Sequence, residues 1–372
     1  MPEGWVNVFD VQREAERKLE PGPRGYFSGG AGDEVTLRDA VTSWQQWRLR
    51  PRMLTGVETP STATEVLGKP LAAPLLVAPV AYQRMLHPEG EEAMAKAAAA
   101  VGTVMCLSTL ANTTPTEVAA AAPGGRRWFQ LYPFRDAAVT RALMAEAVGA
   151  GFEAVVLTID APPGGNRERD ARSGFTIPAA VEIPSVAAAF GSSRTVTVAE
   201  TFDLMTLTLT WEDLAGIAAD AGVPLLVKGV LTAEDAALAV EHGVAGIVVS
   251  NHGGRQLDRA VTTAEALPEI VETVAGRVPV LVDGGIRRGV DIAVALALGA
   301  DAVLVGRPPA WGLAADGEAG AEWVLRTLIA ELQLALKLIG VASPAELGRE
   351  HLRSAQRTRV YSETEVSGSS SF

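Results

Sequence analysis

Eight short apolar runs, separated by alanine-rich amphipathic stretches, restrict what this chain can fold into more than any other feature. They occupy residues 75–78, 103–107, 128–131, 154–159, 224–227, 245–249, 278–282 and 302–305. Each is rich in β-branched residues and almost free of polar ones, the pattern of a strand buried on both faces. The intervening stretches, such as 91–101, 137–150, 233–242 and 290–298, place alanine and leucine at helical spacing between charged residues. Eight strand–helix units in succession are the count of an α/β fold, the TIM (β/α)8 barrel, here spanning about residues 70–340. Residues 1–60 read as an N-terminal helical lead-in, with helices at 11–19 and 37–47 around the turn Ser28-Gly29-Gly30-Ala31-Gly32. A long β4-α4 insertion, about 161–211, shows little periodicity and is expected to be a lid or a disordered segment. One domain is expected over 1–360, followed by a Ser-, Gly- and Glu-containing disordered tail at 361–372.

Polar residues fall where each run ends. Pro79, Val80 and Ala81 follow the first run, Ser108 the second, Gln130 and Tyr132 close the third, and Thr158 and Asp160 the fourth. Lys228 follows the fifth, Ser250 and His252 the sixth, Asp283 the seventh, Gly306 and Arg307 the eighth. In a barrel of this kind the C-terminal strand ends share one face, and that face carries the site. Any one of these residues is explained by an ordinary solvated loop; eight loops that all do the same are not. The richest stretch is Ser250-Asn251-His252-Gly253-Gly254-Arg255-Gln256-Leu257-Asp258. It combines a side chain that takes a proton near neutral pH, a guanidinium that forks a carboxylate or phosphate, and glycines that let a ligand approach the backbone.

Several function classes are excluded by what is missing. A net charge of −12 argues against nucleic-acid binding. The single cysteine, Cys106, precludes an internal disulfide, fits a reducing, cytoplasmic setting, and sits in an apolar run as a small buried residue. No basic start precedes an apolar core, and no apolar run reaches membrane-spanning length, so neither a leader nor a membrane segment is expected. No G-x-G-x-x-G or Walker-type loop occurs, which disfavours a nicotinamide cofactor held in the Rossmann manner. The four histidines are scattered, so no metal site is expected.

What remains is an anion site with a base beside it. The turns Asp283-Gly284-Gly285-Ile286-Arg287 and Gly306-Arg307-Pro308 follow the last two strands, where barrels cradle phosphate on backbone N–H groups and a helix N-terminus. Phosphate without a dinucleotide loop, and a lysine, Lys228, at the centre of the mouth, suggest flavin mononucleotide (FMN). Asp160 can orient and charge-stabilise the His252 imidazole. Arg167 and Arg255 can hold a carboxylate, and Tyr26 and Tyr132 can hydrogen-bond a hydroxyl. Together these fit removal of a proton next to a carboxylate, with two electrons passing to the flavin.

These motifs resemble those of the FMN-dependent α-hydroxy acid oxidase and dehydrogenase family over residues 26–350. The most specific is the stretch Ser250 to Asp258, supported by Val77-Ala78-Pro79-Val80-Ala81 with His87-Pro88-Glu89-Gly90-Glu91, Trp128-Phe129-Gln130-Leu131-Tyr132, Leu226-Val227-Lys228-Gly229-Val230 and Asp283 to Gly289. The resemblance implies oxidation of an L-2-hydroxy acid to the 2-oxo acid. His252 is then the base, Asp160 its partner, and Arg167 and Arg255 the carboxylate ligands, with Tyr26 and Tyr132 on the substrate and Tyr132 counted with the catalytic set. FMN lies against Pro79, Val80, Ala81, Ser108, Gln130, Thr158, Lys228, Ser250, the turn Asp283, Gly284, Gly285, Ile286 and Arg287, and Gly306 with Arg307. It implies, further, reoxidation by O2 with release of H2O2, with Ala81 at the position facing the flavin in related oxidases. A homo-oligomer, tetramer or octamer, is also implied. A soluble dehydrogenase using another acceptor, a lactate-monooxygenase-like enzyme and a non-catalytic flavin-binding barrel are the alternatives. Two departures matter. Leu110 stands where short-chain glycolate oxidases carry Trp, which favours a medium-chain or aromatic acid, and Gly165-Asn166 precedes Arg167 where relatives often have a second Arg.

Overall fold

The computed structural model describes residues 4–161, 164–178, 180–191 and 197–355. Eight strands close a parallel barrel: β1 (Leu75–Val77), β2 (Val104–Ser108), β3 (Arg126–Leu131), β4 (Val155–Thr158), β5 (Leu225–Val230), β6 (Gly246–Val249), β7 (Val280–Val282) and β8 (Ala302–Val305). Pairing of Val303, Leu304 and Val305 with Leu75, Leu76 and Val77 joins the last strand to the first.

Alternation along each strand separates two buried layers. Leu76, Cys106, Trp128, Val156, Leu226, Val248, Leu281 and Leu304 pack together inside the barrel, while their chain neighbours pack outward with the helices. Because side chains alternate with period two, the residue two positions further on also faces inward, at the mouth. Those residues are Ser108, Gln130, Thr158, Lys228, Ser250 and Asp283, each buried. The opposite end is covered by the hairpin Thr64–Val66/Lys69–Leu71, whose Val66 and Leu71 join the interior cluster. Cys106 lies in that interior, and burial pushes its thiol well up, so it remains a neutral packing residue.

The lead-in contains the two expected helices, at Val8–Lys18 and Val35–Trp44, and between them a third, Pro21–Ser28. A proline at its first position pre-sets the helical φ there. The insertion is not the structureless segment its sequence suggests. It holds three short helices, Glu168–Ser173, Pro184–Ala189 and Val198–Leu204, and Met205 bridges to Phe134 beside the barrel. These helices are six or seven residues long, too short for a periodicity signal and stable only through packing. Residues 361–372, read as a tail, lie outside the described residues. The last barrel helix, Arg307–Ile339, kinks at Asp316–Gly317, packs on the helices Gly90–Ala100 and Val8–Lys18, and leads to a strand, Leu352–Ser354, that pairs with Trp47–Leu49.

The lead-in buttresses the mouth. Trp44 Nε1 donates to the Gly284 carbonyl at 2.8 Å, and a Cβ on Gly285 would overlap the Ala40 carbonyl oxygen. Gly285 has φ +80°, while Gly276 has φ +74° with open space around it. Both tolerate an alanine only with left-handed strain, of order 1 kcal/mol or more; the first also forces two elements apart. Gly285→Ala is expected to melt at least about 3 °C below Gly276→Ala in a thermal scan. Equal melting temperatures would contradict the close approach.

Candidate active site

Three consecutive residues after β6, His252, Gly253 and Gly254, have φ of 56°, 64° and 74°. Glycine adopts this region freely; histidine does so at a cost of about 1 kcal/mol or more, which the surroundings must offset. They do so through hydrogen bonds. The His252 N–H donates to Ser250 Oγ at 3.1 Å, the Gly254 N–H to Asn251 Oδ1 at 3.3 Å, and the Ala31 N–H to the Gly254 carbonyl at 2.9 Å. The tight loop presents the imidazole to the cavity. Its Nδ1 lies 2.9 Å from Asp160 Oδ1. With Nδ1–H donating to the carboxylate, Nε2 is left as the proton acceptor.

Burial works to raise the Asp160 carboxyl, but the His252 ring, by charge and by hydrogen bond, and the Lys228 ammonium outweigh it and hold the group below its ordinary value. Lys228 is held in turn. Its Nζ donates to Ser250 Oγ at 2.8 Å and lies 3.3 Å from Asp283 Oδ2. Burial would lower this ammonium, yet Asp283 and Asp160 prevail and raise it, so the floor of the mouth carries a fixed positive charge. Beside it, Gln130 accepts from Ser108 Oγ at 3.1 Å through Oε1, while its buried Nε2 has no hydrogen-bond partner among the described residues.

The Tyr26 ring lies between two cations. The guanidinium carbon of Arg255 is 4.8 Å and that of Arg167 5.2 Å from its centre. Arg255 also donates to the Tyr26 and Gly29 carbonyls at 2.6 and 3.1 Å, so the lead-in fixes the Arg that follows the His252 loop. Gln256 Nε2 donates to the Asp160 carbonyl at 2.6 Å and its Oε1 accepts from the Gly165 N–H at 3.0 Å, joining the insertion to both halves of the His–Asp pair. Burial pushes the Tyr132 hydroxyl up, helped by the Asp160 charge and Tyr26, and keeps it a protonated donor.

These groups surround one cavity of about 180 Å³. The sequence-derived residues Tyr26, Pro79, Val80, Ala81, Ser108, Leu110, Gln130, Tyr132, Thr158, Arg167, Lys228, His252, Arg255, Asp283, Gly284, Gly285, Ile286, Arg287, Gly306 and Arg307 all line it. Asp160 and Ser250 stand behind its wall, through His252 and Lys228. Arg307 differs in use from the expected phosphate clamp. Its Nε, Nη1 and Nη2 donate to the carbonyls of Phe27, Gly253 and Gly29 at 3.0, 2.8 and 2.8 Å, so its side chain ties the lead-in to the His252 loop. What it offers an anion is its charge and the N-terminal end of its helix. Sequence reasoning missed Phe202 and Met205, from the insertion, Gln256, and Trp311, which lies 5.0 Å from the Arg287 guanidinium. Two of them carried a signal: Gln256 lies within the stretch Ser250 to Asp258, and Trp311 falls one helical turn after Arg307.

The FMN-dependent dehydrogenase family model matches residues 15–354. The chain belongs to this family. It is 44% identical to an L-lactate oxidase of Nostoc sp. over 93% of this chain and 98% of that protein. It is 42% identical to a glycolate oxidase of Spinacia oleracea over 93% and 95%. Among solved structures, a mandelate oxidase with (S)-4-hydroxymandelic acid superposes with a TM-score of 0.87 at 42% identity, covering 94% of this chain and 98% of that one. The protein is therefore an FMN-dependent oxidoreductase that oxidises an α-hydroxy acid. Its cavity fits that cofactor on its own evidence. The unpartnered amide of Gln130 and the unpartnered Asp283 Oδ1 suit a heterocycle with donors and acceptors along its edge, or a polyhydroxyl chain. Arg287, lowered by burial to about 10 and so still charged at neutral pH, suits a phosphate. Among the described residues no helix is long and apolar enough to cross a membrane, and no cluster of His, Cys, Asp and Glu could hold a metal ion.

The lowered Asp160 value sets a sign for pH dependence. Its contribution to stability is complete above the ordinary carboxylate value, about 4, and is lost as pH falls through the lower folded-state value. The melting-temperature difference between the wild type and Asp160→Asn is expected to narrow as pH falls below about 4. A gap that widened below about pH 4 would contradict the ion pair.

Proposed function

We propose that the enzyme oxidises a medium-chain or aromatic L-2-hydroxy acid to the 2-oxo acid, with O2 as electron acceptor. The overall change is R–CH(OH)–COO⁻ + O2 → R–CO–COO⁻ + H2O2: the substrate loses two hydrogens and two electrons, and oxygen gains both. FMN supplies the two-electron relay between them. Arg255 and Arg167 clamp the substrate carboxylate, with Tyr26 between them. Tyr132, protonated, donates to a substrate oxygen. His252 Nε2 takes the proton that leaves the substrate, and Asp160 stabilises the imidazolium that results, the role carboxylates play beside general bases. Lys228, Gln130, Ser108, Thr158, Ser250 and the backbone of Pro79 to Ala81 hold the ring end of the cofactor. Asp283 to Arg287, with Gly306 and Arg307, hold its phosphate end.

The observation that carries the substrate class is the apolar wall. Leu110, buried at 3% exposure, lines the cavity with Phe202 and Met205 from the insertion. The mandelate oxidase likeness supports a ring-bearing acid, and the lactate and glycolate oxidase relatives support oxygen as acceptor. A homo-oligomer, tetramer or octamer, belongs to the same reading, supported by the exposed Leu54, Leu334 and Leu338. So does a cytoplasmic location, supported by the lone buried cysteine. Peroxide release, measured in air over a panel of glycolate, L-lactate, L-2-hydroxyoctanoate and L-mandelate, is expected to be fastest with the last two. Leu110→Trp is expected to lower kcat/KM for those two by about 10-fold or more while changing glycolate less than about 3-fold. Preference for glycolate in the unmodified enzyme would overturn the substrate class, and turnover only with an added dye would overturn the acceptor.

A further inference from the structure

Glu91 takes no part in the chemistry, yet it is a wholly buried carboxyl, at 0% exposure, on the first turn of the helix Gly90–Ala100. No cation faces it. Its Oε1 accepts the Gln83 N–H, from the loop after β1, and the Asn112 N–H, from the loop after β2, both at 3.1 Å; its Oε2 lies 3.2 Å from Thr113 Oγ1. Asn112, itself 5% exposed, extends the link. Its Oδ1 accepts the Arg84 N–H at 3.0 Å and its Nδ2 donates to the Glu182 carbonyl of the insertion at 2.9 Å. Between these ties, the Tyr82 N–H donates to the Leu110 carbonyl at 3.1 Å, and Gln83 Nε2 to the Val80 carbonyl at 3.2 Å. Three segments that supply cavity wall are thereby stitched together: the one carrying Val80 and Ala81, the one carrying Leu110, and the insertion that continues to Phe202 and Met205.

We propose that Glu91 and Asn112 are positioning residues for substrate selection: lying outside the cavity, they fix the spacing of its three walls and so the size of side chain it admits. This rests on the reading that Leu110, Phe202 and Met205 face the substrate's side chain, while the Val80–Ala81 segment backs the cofactor ring against which that side chain is spaced. Burial raises the Glu91 carboxyl, which agrees with a group retained for hydrogen-bond geometry and not for charge. A glutamine can keep that geometry, because its Oε1 accepts both N–H groups and its Nε2 donates to the Thr113 hydroxyl. An alanine leaves two buried N–H groups and a hydroxyl without an acceptor, at about 1–3 kcal/mol for each. Asn112→Asp keeps the acceptor for Arg84 and removes the donor to Glu182, which releases the insertion alone.

The test uses FMN-loaded wild type, Glu91→Gln, Glu91→Ala and Asn112→Asp, and compares kcat and KM across the four-acid panel. Asn112→Asp and Glu91→Ala are expected to change the ratio of kcat/KM between L-mandelate and glycolate at least 10-fold, mainly through KM, with FMN affinity in Asn112→Asp within about 2-fold. Glu91→Gln is expected to restore the wild-type ratio. A ratio unchanged in Asn112→Asp, or a Glu91→Gln variant as altered as Glu91→Ala, would overturn the proposal. If Glu91→Ala does not fold, the other two variants decide. The wild-type ranking alone tests the substrate class, so a failure there is separable from a failure of Glu91 and Asn112 to control the ratio.

Discussion

The period-two alternation of a strand buried on both faces is the constraint on which the rest of this molecule depends. One phase of it fills the barrel with Cys106, Trp128, Val156, Leu226, Val248 and Leu281. Continued one step further, the same phase points Ser108, Gln130, Thr158, Lys228, Ser250 and Asp283 into the mouth. A polar group at the end of an inward-facing row costs little while water or a ligand solvates it, and a great deal if it is sealed in. The mouth is thus a ring of polar side chains that the core itself places, and the loops beyond need only add the reacting groups.

Those loops are held by hydrogen bonds between segments far apart in the chain. Arg255 and Arg307 both reach carbonyls of the residue 26–29 segment, Trp44 reaches Gly284, and Gln256 joins the insertion to Asp160. The lead-in therefore forms one side of the site, and the four arginines that sequence assigns to ligands differ in use. Arg287 sits on Trp311, Arg255 and Arg167 both lie over Tyr26, and Arg307 serves as a strut. The left-handed backbone at His252 persists because Ser250, Asn251 and Ala31 satisfy the loop around it.

The barrel was legible because its strands are nearly pure apolar runs: the run at 302–305 coincides with Ala302–Val305, and that at 154–159 brackets Val155–Thr158. The position of the mouth was legible because polar residues close or directly follow such runs. Other elements left no mark. The helix read at 37–47 ends at Trp44 because residues 47–49 pair with a strand some three hundred positions later, which no local pattern reports. The insertion helices are short and take their order from contacts such as Met205 with Phe134, so Phe202 and Met205 could not be assigned to the cavity. Arg307 lines the cavity, but its partners, three backbone carbonyls, are invisible in sequence.

The most direct test of the account is the half-reaction in the absence of oxygen: FMN-loaded wild type and His252→Gln are each mixed with an L-2-hydroxy acid while the flavin absorbance near about 450 nm is followed. A wild-type protein that bleaches with the L-acid but not its D-enantiomer, and a His252→Gln protein that stays yellow or bleaches about 10²- to 10⁴-fold more slowly, are the results expected of a base held by Asp160 at the mouth of a flavin barrel. Bleaching at the wild-type rate without the imidazole, or no bleaching of the wild type by any acid, would contradict it.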